Sequence, residues 1–186
     1  IESARQQLNK AIEFFQIILR QNPDSIQDRY RLAVCYRGHA DMTLQLQNEL
    51  SSASDSYQKS VELMTTLVRE TPRVSHYQFE LAQLYRNMGH LEINQSRWNE
   101  ALANLHISRS KLTTLTSNFP KQASFQYELA LVRLDLAEAH QENEEPTEWR
   151  RQLQQAIVLL EKLIQRFPET ADEQHKGLSG ARAFQD

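Results

Sequence analysis

Any chemistry performed by this chain would have to come from six histidines, one cysteine, a serine cluster and a short acidic run. His39, His90 and His140 recur at intervals that suggest a metal site or an acid–base set. None of the histidines forms the i, i+4 pair of a helical zinc site, and there is no Cys/His cluster. Their spacing drifts against the neighbouring leucines, so they are expected to project in different directions as solvated or capping groups. Cys35 stands alone, which removes an internal disulfide framework and a cysteine-based metal cluster. Ser51, Ser52, Ser54 and Ser56 read as N-capping, exposed hydroxyls open to phosphorylation rather than as nucleophiles. Glu142, Glu144 and Glu145 read as a solvated turn. The four glycines are isolated, so no phosphate loop is written. No catalytic residue, metal or cofactor is expected, and the chain is not read as an enzyme.

Composition points the same way. Charged residues make up 24 % and apolar residues 40 %, with a formal net charge of −3, four glycines and five prolines. A chain so poor in turn residues favours helix, and its scattered cations give no general attraction to phosphate, so nucleic acid is not expected as a partner. No apolar run is long enough to cross a bilayer, and no signal peptide is visible. A cytoplasmic location follows as an expectation. The first residue is Ile1, so the chain is read as a fragment of a larger protein.

A period dominates the sequence. Pro23, Pro72, Pro120 and Pro168 lie 49, 48 and 48 residues apart. Nine residues after each of the first three comes a Leu-Ala pair: Leu32-Ala33, Leu81-Ala82 and Leu129-Ala130. Apolar residues recur at three and four spacing, as in Tyr77, Leu81, Leu84, Tyr85 and Met88, so each unit holds two helices of about 20 residues and about 30 Å. Proline stops the second helix of each pair, since it lacks an N–H and restricts the residue before it. The turns inside the hairpins fall near Gln47 to Glu49, Gln95 to Arg97 and Asn143 to Glu145, with Pro146 suited to the first turn of a helix. Gly89 shares the place of Ala40 and Ala137 and reads as a small residue where two helices approach closely. Cys35 shares the place of Leu84 and Val132 and reads as a buried structural thiol.

These residues resemble the tetratricopeptide repeat family, whose pattern joins a Leu-small-x2-Tyr element, a small-x3-large element and a proline. The first appears as Leu32-Ala33-x2-Tyr36 and Leu81-Ala82-x2-Tyr85, and more weakly as Leu129-Ala130-x2-Arg133. The second appears as Ala11/Phe15, Ser60/Met64, Ser108/Leu112 and Ala156/Leu160. Where the family places tryptophan, this chain has Arg29, Gln78 and Gln126, and Tyr77 and Phe125 are expected to take over its packing. The period exceeds the family's usual length of about 34 residues, by about two turns on each helix. Long arrays carrying the signature Tyr77-x3-Leu81-Ala82 are similar to regions attached to bacterial serine/threonine kinases, notably in planctomycetes.

The resemblance implies an all-α, right-handed superhelical solenoid of antiparallel hairpins forming one domain over 1–186. Residues 1–23 would be the second helix of a partial repeat. Repeats would span 24–72, 73–120 and 121–168, with a capping or partial helix in 169–186. Seven long helices and a short terminal one are expected. It also implies that first helices line a concave wall that binds a protein or peptide partner. Two residues before each leucine lies about 200° around the helix, away from the face that closes the hairpin. That stripe reads Tyr30, Val34 and Arg37, then Phe79, Gln83 and Arg86 with Asn87 beside it, then Tyr127, Leu131 and Leu134. Two readings of it stay open: aromatic and arginine contacts for a peptide, or simple packing between adjacent first helices. The Lys/Asn/Arg set with which the family clamps chaperone C-termini is not reproduced here. The competing function is a structural helical domain that self-associates, as in a homodimer.

Overall fold

A computed structural model describes residues 2–47, 49–168 and 171–183, and among them there is no strand and the long elements are all α-helices. The helices are α1 (Glu2–Gln21), α2 (Ile26–Gln47), α3 (Leu50–Glu70), α4 (Ser75–Ile93), α5 (Trp98–Asn118), α6 (Ala123–Glu142), α7 (Pro146–Arg166) and α8 (Ala171–Ala183). The expected all-helical, hairpin-repeat architecture is therefore present, with seven long helices and a short last one among the described residues. Asn48 in the first expected turn, and 169–170 and 184–186 of the expected terminal segment, lie outside the described residues. The helices fall into two compact units, Ile1–Met88 and Gly89–Asp186, whose boundary lies inside α4.

The period has a local cause. Thr71, Phe119 and Phe167 end α3, α5 and α7 with almost the same backbone angles, φ near −126 to −131° and ψ near 61 to 66°. Each precedes a proline, which excludes helical geometry there, and each N–H still bonds the carbonyl four residues back at 2.8 Å. The turns that close the second and third hairpins also match. Ser96 and Glu144 adopt left-handed φ of 55° and 58°. The following N–H groups, of Arg97 and Glu145, reach back to Glu92 and His140 carbonyls at 2.9 and 2.8 Å. Such a reversal satisfies carbonyls that the helix end leaves open.

In the first unit α2 packs on α1 and α3. Ala33, Met64 and Leu67 are at most 1 % exposed, and Ser60 donates to the Ala33 carbonyl at 2.8 Å, which holds the two backbones close. None of the described α1 side chains is fully buried. Cys35 departs from expectation: it is half-buried, not buried like Leu84 and Val132. Burial still raises its thiol pKa, which disfavours the reactive thiolate.

In the second unit α5, α6 and α7 pack in sequence and α8 lies against α7 and α6. Leu105, Leu112, Leu115, Ala130, Leu136, Ala156, Leu160 and Leu163 are fully buried. Gly89 stands where two helices meet, as its register predicts: a methyl group there would lie 2.6 Å from Leu105 Cγ and 3.4 Å from the Ala101 carbonyl oxygen.

The positions that hold tryptophan in the family are put to another use. Gln78 and Gln126 donate from Nε2 to the carbonyls of Pro72 and Pro120 at 2.6 and 2.7 Å, pinning each helix to the loop before it. Arg29 does the same to the Asp24 carbonyl at 3.2 Å and also grips Glu70 with both terminal nitrogens. Phe125 is buried and meets Phe119 edge-on, while Tyr77 packs against Tyr30 at a tilt of 39°.

Candidate binding surfaces

In the first unit Tyr30, Val34 and Arg37 on α2, and Phe79, Gln83, Arg86 and Asn87 on α4, are all half-buried. Tyr30 is already engaged. Its hydroxyl lies 2.7 Å from His76 Nε2, and its ring packs at 5.5 Å on His76 and 5.1 Å on Tyr77. Arg37 pairs with Glu80 of α4. Behind this wall the Tyr57 hydroxyl donates to Asp41, and burial followed by that carboxylate drives its pKa upward. On α2, Tyr30 and Arg37 thus serve as packing against α4 while both side chains remain half-exposed.

In the second unit Tyr127, Leu131 and Leu134 are likewise half-buried. Tyr127 and Leu134 pack on the cluster that includes Leu178 and Ala181 of α8, and a methyl at Gly177 would sit 3.5 Å from the Tyr127 ring. The missing leucine at Gly177 therefore leaves room for that tyrosine. A recess of about 220 Å³ remains between Leu134, Asp135, Glu138, Gly180 and Ala181.

The three recurring histidines reach different partners. His39 Nδ1 lies 3.0 Å from Ser56 Oγ, His90 Nε2 lies 3.0 Å from Asp135, and His140 Nδ1 lies 2.6 Å from Glu145. His140 is 4 % exposed, so of the two expected roles, solvated or capping, it does not take the solvated one. It ties the end of α6 to Glu145, the residue that precedes α7. Ser56 is also buried, donating to the Ser52 carbonyl at 3.0 Å. The serine cluster does not cap α3, whose first residue is preceded by Glu49 without a side-chain cap. Among the described residues no three His, Cys, Asp or Glu side chains converge as a metal set would, and no helix is long and apolar enough to cross a membrane.

A second surface, marked by no sequence motif, lies between the two helices of a hairpin. In the first unit a groove of about 490 Å³ is lined by Leu32 and Tyr36 of α2 and by Lys59, Glu62, Leu63 and Thr66 of α3, with Gln16 of α1 and Arg29 at its edge. In the second unit a groove of about 340 Å³ is lined by Leu129 and Arg133 of α6 and by Gln154, Gln155, Val158, Leu159 and Lys162 of α7. The repeat register superposes them: Tyr36 corresponds to Arg133, Glu62 to Val158, Leu63 to Leu159 and Thr66 to Lys162. The one available signal was arginine standing in the tyrosine place of the third repeat.

Comparison with known proteins touches the same segment. The tetratricopeptide repeat family matches residues 126–170, which begin three residues before Leu129 and end just past Pro168, so the third hairpin is similar to a tetratricopeptide repeat. No curated protein matches the chain. Among solved structures, a chain of the DHF79 filament aligns over 97 % of both chains at 12 % identity, with a TM-score of 0.38.

Proposed function

We propose that this chain is a non-catalytic scaffold that binds a peptide or helix of a partner protein along the first-helix stripe of its hairpins. Tetratricopeptide repeats as a family mediate protein–protein contacts, and the third hairpin is similar to one. The observation that carries the reading is the state of the stripe. Aromatic rings such as Tyr30 are held by His76 and Tyr77 yet remain half-exposed. A ring fixed before binding loses little entropy on contact, which favours association. The period of about 48 residues supports the further reading that the hairpins belong to a kinase-attached array and bring partners to a catalytic domain on the same polypeptide.

Self-association is the second reading, and one feature favours it. Phe14 and Ile17 of α1 are 58 % and 53 % exposed, and large exposed apolar groups in proximity mark contact surfaces.

Affinity capture with the chain as bait, repeated with Phe79→Ala plus Arg86→Ala, tests the scaffold. Loss of a specific partner at unchanged helicity is the expected result. Retention of every partner would remove the stripe as the site. Sedimentation over a wide concentration range tests the second reading: a mass that doubles, and reverts with Phe14→Glu, would favour self-association.

A further inference from the structure

Arg133 breaks the pattern of its own repeat. The equivalent Tyr36 is 8 % exposed and receives a hydrogen bond from Gln16 Nε2 at 2.7 Å. At Arg133 a half-buried guanidinium replaces the phenol. Its Nη1 donates to Gln152 Oε1 at 2.9 Å and to Gln155 Oε1, both neutral acceptors. Burial, and then the like charges of Arg109 from α5 and Arg151 from α7, pull its pKa down.

Among the described residues no carboxylate pairs with it. The acids of α7 and its first turn are engaged elsewhere: Glu148 with Arg151, Glu161 with Arg182 at 2.9 Å, and Glu145 with His140. A cation drawn partly out of water is costly without a counter-ion and forms strong, geometrically specific contacts with a carboxylate. Beside it the groove floor is apolar, with Leu129, Leu159 and the 37 % exposed Val158. Lys162, one helical turn beyond Val158, places a second cation on the far side of that floor.

Cation, apolar floor and cation in sequence define the complement. We infer that the α6–α7 groove binds a short segment of a partner protein in which acidic and leucine-like residues alternate, one carboxylate on Arg133 and another near Lys162, with an apolar side chain on Val158 and Leu159. This rests on the protein-binding reading above but places contacts on a different face of the hairpin from the Tyr127 stripe. A nucleic acid would satisfy the cations and leave the apolar floor unused, and the chain's net charge of −3 opposes it.

The test uses the full chain and a fluorescein-labelled Glu-Leu-Asp-Leu-Glu-Leu-Asp peptide, read by fluorescence polarisation. Binding on the order of tens of micromolar is expected for such a groove. The Gln/Asn version of the peptide should bind roughly tenfold more weakly, since the charge-assisted contacts are lost. Arg133→Gln and Val158→Asp should each weaken binding roughly tenfold, and Lys162→Gln about threefold, in proportion to how desolvated each contact is. Val158→Asp changes an exposed position, so its result stands even if Arg133→Gln perturbs the fold. Arg29→Gln in the first unit should leave binding unchanged.

Equal binding of the acidic and amide peptides, wild-type binding by Val158→Asp, or tighter binding of an oligothymidylate than of the peptide would each overturn the inference. The two proposals fail separately. If a captured partner is lost by the Phe79/Arg86 double variant and kept by Arg133→Gln and Val158→Asp, the scaffold stands and the groove falls. Peptide binding that depends on Arg133, with no partner lost by the double variant, reverses that outcome.

Discussion

The two hairpin grooves occupy equivalent places in the repeat and differ in how their charges are settled. In the first unit Arg29 is closed by Glu70, Lys59 lies 5.5 Å over the Tyr36 ring, and Glu62 accepts from Gln58 at 3.2 Å. In the second unit Arg133 donates to amide oxygens and lies in the like-charge field of Arg109 and Arg151, with no carboxylate paired to it among the described residues. The packing beneath is the same in both: Ala33 and Ala130, Met64 and Leu160, Leu67 and Leu163 are all buried. A repeat can therefore hold its core constant while one groove becomes electrostatically self-contained and the other requires a counter-ion from outside. Both tryptophans, Trp98 and Trp149, lie in the second unit. Their fluorescence reports that unit, while far-ultraviolet circular dichroism reports both.

The largest expected difference concerns glycines. Gly89→Ala would press a methyl onto Leu105 and the Ala101 carbonyl and should destabilise by about 1–3 kcal/mol, the usual cost of overpacking. In the first unit a methyl at Gly38 would meet Leu8 at an ordinary 3.5 Å. Gly38→Ala should therefore stabilise by about 0.5–1 kcal/mol through helix propensity. Denaturant titration followed by both signals checks the pair. Two substitutions of the same sign would mean that the close approach at Gly89 is not the cause.

Restoring the repeat's own tyrosine gives a smaller effect. Arg133→Tyr should raise the stability of the second unit by about 1 kcal/mol, at the low end for replacing a buried charge because the side chain is only half-buried. It should weaken acidic-peptide binding roughly tenfold at the same time, as Arg133→Gln does. A loss of stability would show that Gln152 and Gln155 satisfy the arginine fully, and the contrast between the two grooves would weaken.

The smallest effect is one of pH. Burial, followed by Arg109 and His140, lowers the pKa of His106. Its neutral form is thus favoured in the folded chain, while the unfolded chain takes up a proton near pH 6.5. The stability it contributes is intact above that pH and is lost as pH falls from 6.5 through the lower folded value. His39 in the first unit is lowered for the same leading reason. His106→Phe should therefore flatten the fall of the tryptophan-detected thermal midpoint between pH 7 and 5.5 and leave the first unit's fall in place. An unchanged slope would assign the acid sensitivity of the second unit to another group.

Most of the architecture was legible from local rules. A proline ends each second helix whatever surrounds it, so its interval in the sequence set the helix boundaries, and three-and-four spacing set the buried faces. Gly89 could be assigned to a close approach from register alone. The candidate sites were less legible. The stripe residues were identified by angle, but Tyr30 and Tyr127 proved to pack on His76, Tyr77 and α8, because an angle does not say what lies opposite it. The Arg133 groove was passed over because arginine in a tyrosine place read as a weak copy.

By itself, the sequence determined where helices begin and end and which side of each is apolar, since these depend on residues within a few positions of one another. Only the tertiary structure decided which charges are paired, because an ion pair such as Arg29 with Glu70 joins residues 41 positions apart. The loneliness of Arg133 is a property of the same kind: it exists only once α5, α6 and α7 bring their side chains together.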